Sequence, residues 1–233
     1  MTNLSPIRVA FLLFPNVTQL DLTGPAQILS RLGNATIDLV ATTLDPVATD
    51  AGFALVPTAR FADATQPDIV CVPGGFGVND AIDDAETLGW VQQAASGAQW
   101  VTSVCTGSLL LGAAGLLRGY RATCHWAQHH HLAAFGAIPV HERVVFDRNR
   151  VTGGGVTAGI DFALALTAAI RGEAHARLVQ LSFEYDPAPP FDSGSPTRAD
   201  AATMARYQAL AAKAAPSRDA RTLAAAARLA QSA

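Results

Sequence analysis

With 233 residues, half of them hydrophobic and 15% charged, the chain matches one α/β domain with extra elements; a core of that size buries roughly three-quarters of its unfolded surface, and a second full domain has little room. Sixteen basic residues against 19 acidic ones give a net charge of −3 with no basic stripe, which argues against nucleic acid and anionic membranes as partners. Met1 to Pro6 lacks a basic region leading into an apolar stretch, and no apolar run reaches the ~18 residues that span a bilayer, so a cytoplasmic protein is expected.

Ile7 to Phe14 (IRVAFLLF) reads as a buried first strand and Leu22 to Leu32 as the helix after it, entered through Asp21, Thr23 and Pro25. Ile37 to Thr43 is a second strand. Val47 to Pro57, with Asp50-Ala51-Gly52 at its centre, suggests a small hairpin or excursion at a sheet edge. Asp68 to Val72 is another buried strand, stopped by Pro73-Gly74-Gly75. A helix over Ala85 to Ser96, a strand over Trp100 to Val104 and a helix over Thr106 to Leu117 follow.

Further on come a short segment from Arg121 to Cys124, a helix over Trp126 to Phe135, and a strand near Val140 to Phe146. Arg150 to Thr152 precedes three glycines, and Gly159 to Arg171 is a strongly apolar helix. This alternation predicts a mainly parallel sheet sandwiched by helices, with ligands bound beyond the carboxyl ends of the strands. Asp186 to Pro196 is rich in Pro, Gly and Ser and reads as an ordered loop; Arg198 to Ala215 and Ser217 to Ala230 are Ala-rich helical patterns. The division expected is an α/β domain over 6–185 and a helical arm over 186–233, packed on the core or on a dimer partner.

Cys71, Cys105 and Cys124 are odd in number and lack CxxC spacing, so reduced thiols are expected rather than disulfides or a zinc site. Cys105 stands apart. It ends a strand and is followed at once by Thr106-Gly107-Ser108 and an apolar helix, a turn that lifts a side chain above the sheet. Helix N-terminal amides there would lower the thiol pKa, although a buried inert cysteine is an equal reading from position alone. Cys71, inside DIVCV, is expected to be core.

Backbone amides of Gly74 and Gly75, with that of Thr106, are candidate donors for developing negative charge, and a plain turn is the simpler alternative. Asp21, just past the first strand, is either a helix cap or a proton carrier beside the thiol. His125 is a base for Cys105, a pocket residue or a hydrogen-bonded structural histidine. His129, His130 and His131 are consecutive, so on a helix they point about 100° apart and are not expected to converge on a metal.

The segments AFLLFPNVTQLDLTGP, DIVCVPGGFG, VTSVCTGSLLLGAAGLL, ATCHW and VTGGGVTAGID, in this order over roughly residues 6 to 185, resemble the ThiJ/PfpI superfamily, whose fold is class I glutamine-amidotransferase-like. Within it the chain is most similar to the isonitrile hydratases, also called isocyanide hydratases, and that likeness continues through EYDPAPPFDSGSP. The resemblance implies a cysteine nucleophile at Cys105, a following threonine at Thr106 and an acidic residue beside the sulfur at Asp21. It also implies an oxyanion site at Gly74 and Gly75, pocket positions at Gly154 and Val156, no cofactor, a small-molecule isonitrile as substrate and a homodimer. The implied reaction is hydration of an isonitrile to an N-substituted formamide through a thioimidate on Cys105.

Alternatives within the same superfamily are a PfpI-type peptidase, a glyoxalase-like enzyme, a redox-responsive protein and the sensor half of an AraC-type regulator. Peptidase-like relatives usually place histidine after the nucleophile, where this chain has Thr106. A regulator is disfavoured because only 37 residues follow the loop, Ala-rich and not notably basic, against the hundred or so of a helix-turn-helix region.

Overall fold

The computed structural model describes residues 4–231; Met1 to Asn3, part of the N-terminal stretch considered above, and Ser232 and Ala233 lie outside the described residues. In chain order the elements are β1 (Ile7–Leu12), α1 (Gln19–Leu29), β2 (Ala35–Ala41), β3 (Val47–Ala48), β4 (Ala54–Leu55), β5 (Ala59–Arg60), β6 (Ile69–Val72), α2 (Val78–Ala81), α3 (Ala85–Gly97), β7 (Trp100–Val104), α4 (Gly107–Ala113) and β8 (Arg121–Ala122). A 3-10 helix (His129–Phe135) follows, then β9 (Ile138–Pro139), β10 (Val144–Asp147), β11 (Arg150–Gly153), α5 (Ala158–Arg171), α6 (Glu173–Ser182), α7 (Ala201–Ala211) and α8 (Ala215–Gln231).

Seven strands form one sheet in the order β10-β11-β7-β6-β1-β2-β5, parallel except for the β10–β11 pair at one edge. The central strands are apolar throughout, as strands covered on both faces must be: in β6 every residue is buried, and Val9 to Leu12 of β1 likewise. Helices flank the sheet, with α5 packed against α1 and α6, and α4 against α3, α8 and the 3-10 helix. The Val47 to Pro57 excursion is the small β3–β4 hairpin anticipated from its turn.

Several elements differ from expectation for identifiable reasons. The first helix starts at Gln19, with Thr18 as its N-cap, and carries Pro25 in its interior; a proline read as a first-turn residue pushed the expected start too far along the chain. The stretch expected as a helix from Trp126 is a 3-10 helix beginning at His129. The strand expected near Val140 starts at Val144, and the helix from Gly107 stops at Ala113, ahead of Gly115 with φ +77°. Helix α6 was not anticipated, because its polar surface leaves only Ala176 and Val179 buried. Among the described residues, no helix is long and apolar enough to cross a membrane.

Candidate active site

The turn between β7 and α4 holds Cys105 in the left-handed region, at φ +57°, with its amide donating to Gly153 O of the neighbouring strand end at 3.1 Å. A non-glycine residue there stores of order 1 kcal/mol of strain, which the surrounding packing must hold in place. Gly107 makes the turn possible: a Cβ at this position would run into the Val72 and Pro73 carbonyls at the end of β6. Below it, Ser108 Oγ donates to Thr123 O at 2.7 Å and lies 2.8 Å from Ser103 Oγ, fixing the start of α4 to its strand.

Asp21 arrives from the other side. Thr18 and not Asp21 occupies the N-cap, so Asp21 is the third residue of α1 and the capping reading does not hold. The β1–α1 loop is tied to the β6 turn by Thr18 N donating to Gly74 O (3.0 Å) and Gly77 N to Asn16 O (3.1 Å). That tie brings the carboxylate to the Gly74 amide, which donates to Asp21 Oδ2 at 2.9 Å, while Oδ1 is buried without a close hydrogen-bond partner. Full burial raises the Asp21 pKa from the ordinary 3.8 to about 7, against the opposing pull of the Gly74 amide and the Cys105 thiol.

The thiol is raised in turn. Burial comes first and the charge of Asp21 second, together outweighing the Thr106 amide that favours the thiolate. This corrects the expectation of a low-pKa cysteine: α4 is seven residues long, and its N-terminal field does not offset complete desolvation beside a carboxylate. Burial likewise pushes Cys71 up to about 12 and Cys124 above its ordinary range. Cys71 is core, as expected, and all three cysteines are free.

The glycine amides have different work from the one anticipated. Gly74 N–H is committed to Asp21, and Gly75 N–H donates to Thr106 Oγ1 at 3.0 Å, so neither is an idle donor facing the sulfur. The pair instead positions the carboxyl and the threonine hydroxyl. Gly75, at φ +136°, sits against Thr18 and Asn16 backbone where a side chain has no space.

A cavity of about 210 Å³ opens over Cys105 and Thr106, walled by residues that follow the carboxyl ends of β6, β7 and β11, including Gly75, Phe76 and Val156. Val156 and His125 line it. Gly154 does not: its amide donates to Arg143 O at 2.9 Å, so it braces the backbone behind the wall. His125 Nδ1 accepts from Ala127 N–H at 3.3 Å, and burial, then Arg218, lower its pKa. A neutral ring protonated at Nε2 is a donor, which favours the pocket reading over the base. Tyr207 of α7 and Arg218 of α8 also face this cavity. Neither was singled out from the sequence, where nothing local to an Ala-rich helix says which core surface it covers. A larger cavity of about 290 Å³, near Phe61 and Asp84, contains no cysteine or histidine.

The three consecutive histidines do not simply diverge. On a 3-10 helix, with side chains nearer 120° apart, His129 turns to Val140 O (2.9 Å) and stacks on His141, whereas the His130 and His131 rings lie 3.9 Å apart. His131 Nε2 is 3.0 Å from Asp219 Oδ1, and the ligand atoms of His130, His131 and Asp219 fall within 4.8 Å of one another. The expectation of no convergence therefore fails for two of the three, and the group clasps α8 to the 3-10 helix.

The DJ-1/PfpI family model matches residues 7–169, which span every strand of the main sheet, Asp21 and Cys105. The isonitrile hydratase of Pseudomonas putida is 54% identical over 198 residues, covering 85% of this chain and 87% of that protein. The HTH-type transcriptional regulator GbdR of Pseudomonas aeruginosa is 31% identical over 195 residues, covering 79% of this chain and 52% of the regulator. A crystal structure of a ThiJ/PfpI family protein from Pseudomonas syringae superposes with a TM-score of 0.91 at 46% identity, covering 94% of this chain and 91% of its own. The chain belongs to the DJ-1/PfpI family.

Proposed function

We propose that this protein is an isonitrile hydratase, adding water to an organic isonitrile to give an N-substituted formamide by covalent catalysis at Cys105. The observation that carries the activity is 54% identity over 85% of the chain to the Pseudomonas putida isonitrile hydratase. Support for the mechanism comes from the buried pairing of Asp21 with Cys105, in which two groups of raised pKa hold one readily shared proton.

In the proposed sequence the ionised Asp21 takes the thiol proton as the sulfur bonds to the terminal isonitrile carbon, and the resulting carboxylic acid returns that proton to the carbon. The product is a thioimidate, Cys–S–CH=N–R. Water then adds its oxygen to the carbon and a proton reaches nitrogen by way of Asp21, giving Cys–S–CH(OH)–NH–R. Collapse forms the C=O bond, breaks the C–S bond and returns the hydroxyl proton to the site, releasing HC(=O)–NH–R with the thiol restored. Thr106, held by Gly75, orients the turn that carries the sulfur. No cofactor takes part in this scheme.

We further propose a cytoplasmic homodimer and a division into an α/β domain over 6–185 and an arm over 186–233. The arm reading is supported by Thr222, Ala225 and Ala226 of α8, which are buried. The test is to incubate the purified protein with an aryl isonitrile in ¹⁸O-labelled water and follow the formamide by mass spectrometry. Labelled formamide formed by the wild type and not by Cys105→Ala is the expected result. Absence of turnover under reducing conditions refutes the hydratase reading.

A further inference from the structure

Four arginines are half-buried among the described residues, and three have ordinary partners. Arg8 Nη1 donates to Asp38 Oδ2 at 3.1 Å, Arg150 Nε to Leu116 O at 2.8 Å and Arg171 Nε to Leu32 O at 2.9 Å. The fourth is Arg218. Among the described residues no hydrogen bond from its guanidinium is found, and its Nε is buried without a hydrogen-bond partner. The nearest carboxylate oxygen, Asp219 Oδ1, is 3.8 Å from Nε and already engaged by His131 at 3.0 Å. The Arg218 side chain keeps 22% of its surface exposed, so the cost falls on the buried Nε–H, and a bound anion would supply the acceptor it lacks.

Its position says which anion matters. Arg218 faces the same cavity as Cys105 and is the one residue of the described lining with a fixed charge. Asp21 lies beneath the nucleophile turn, on the Gly74 side, and does not line the cavity. Phe76, Leu109 and Val156 give the wall apolar surface beside the uncharged polar Asn79 and Gln128, and Tyr207 lines it from the arm with its ring 4.8 Å from that of Trp126. A volume of about 210 Å³ suits a small ligand, with a single ring or short chain as spacer.

We propose that Arg218 is a specificity-determining residue that selects isonitriles bearing a carboxylate at the end remote from the isonitrile carbon. This rests on the hydratase reading above. The planar guanidinium takes a carboxylate through two parallel hydrogen bonds, which fixes the spacer along the cavity and leaves the isonitrile carbon over Cys105. The group belongs to the arm, so the scaffold supplies the reaction and the arm supplies the choice of substrate. The other unpartnered atom in the wall, Gln128 Oε1, is an acceptor and gives a carboxylate nothing.

The test uses 4-isocyanobenzoate and its methyl ester as matched substrates for the full-length wild type, Arg218→Gln and Arg218→Lys. The expected result is that wild type favours the acid by about 10- to 100-fold in kcat/KM, mainly through KM, as a charge-assisted bidentate pair would give. Arg218→Gln should abolish that preference and Arg218→Lys restore part of it. Equal use of acid and ester by the wild type, as expected if Arg218 were shared with Gln128, or an equal loss on both substrates in Arg218→Gln, overturns the proposal. Calorimetry with 4-formamidobenzoate and its methyl ester reads the same preference without turnover. If neither isonitrile is hydrated, the hydratase reading falls, and the arginine's role then stands or falls on whether the acid binds about tenfold or more tighter than the ester to wild type and not to Arg218→Gln.

Discussion

Asp21→Asn should do two opposite things, slowing hydration while stabilising the fold above neutral pH. In the unfolded chain this carboxyl ionises around pH 3.8; in the folded protein it stays protonated until about pH 7. The group therefore contributes its full stability below pH 3.8, loses it progressively across the window up to about 7, and changes nothing beyond. At about 1.4 kcal/mol per pH unit, that window amounts to about 4 kcal/mol. Asparagine does not ionise, and its carbonyl can accept the Gly74 amide that Asp21 Oδ2 accepts at 2.9 Å. Burial of the new amide N–H beside the thiol costs about 1–2 kcal/mol at every pH, so the variant should be the more stable by about 2–3 kcal/mol above neutral pH, while the change in its advantage between pH 4 and pH 8 stays at about 4 kcal/mol. Urea midpoints of the two proteins at both pH values measure it, because titrating groups away from Asp21 cancel in the difference. Turnover should fall by about 10²- to 10⁴-fold, the usual cost of losing a general acid-base group. A stability difference that is the same at pH 4 and pH 8 would refute the buried, half-protonated carboxyl on which the mechanism depends.

Cys105→Ala should abolish turnover with a stability change within about 1 kcal/mol, whereas Cys71→Ala should retain activity and cost about 1–3 kcal/mol in denaturation, since its sulfur fills packed core. Gly74→Ala places a Cβ 2.6 Å from Thr106 N and Oγ1 and 2.8 Å from Asp21 Oδ2, so kcat/KM should drop by about 100-fold or more, read by steady-state kinetics. Truncation after Gly172 removes α6, α7 and α8 and uncovers the surface under Val179, Ala225 and Ala226; loss of solubility and an altered elution volume on size exclusion are the expected outcome.

The sheet was legible because its strands are short apolar runs bounded by glycine, proline and polar turns. Both faces are covered, so hydrophobicity alone marks β1, β6 and β7. Their neighbours follow from the parallel rule, which put the Gly74 turn next to the Cys105 turn, as the β6–β7 pairing confirms. Boundaries were less legible where one residue carries a double meaning, as with Pro25 inside α1. The Asp21 side chain could be placed near the carboxyl edge but not assigned, since an aspartate just before an apolar helix reads as a cap. The deciding fact, that Thr18 holds the N-cap position while the Asp21 carboxylate accepts from the Gly74 amide, depends on a contact across 53 residues. Arg218 and Tyr207 were illegible for the same reason: Arg218 is set against the cavity by packing of α8 on α4, α2 and the 3-10 helix, and Tyr207 of α7 by its ring contact with Trp126.

The raised pKa of the thiol, which would count against a hydrolytic cysteine enzyme, fits the proposed reaction better than a preformed thiolate does. An amide substrate has a leaving nitrogen that takes up the proton the nucleophile sheds, so such sites do well to ionise the thiol in advance with a neighbouring histidine. An isonitrile has no leaving group, and the carbon that accepts the sulfur must itself be protonated. A site that discarded its proton to solvent beforehand would have to recover one from a buried position. Burial leaves neither Cys105 nor Asp21 easily ionised, and in the proposed scheme transfer from sulfur to carboxyl to carbon keeps the buried site at constant charge throughout. The proposed scheme needs no base histidine: His125 lies in the pocket wall with Nδ1 accepting from Ala127 N–H, and the scheme assigns proton transfer at the sulfur to the short carboxyl of Asp21.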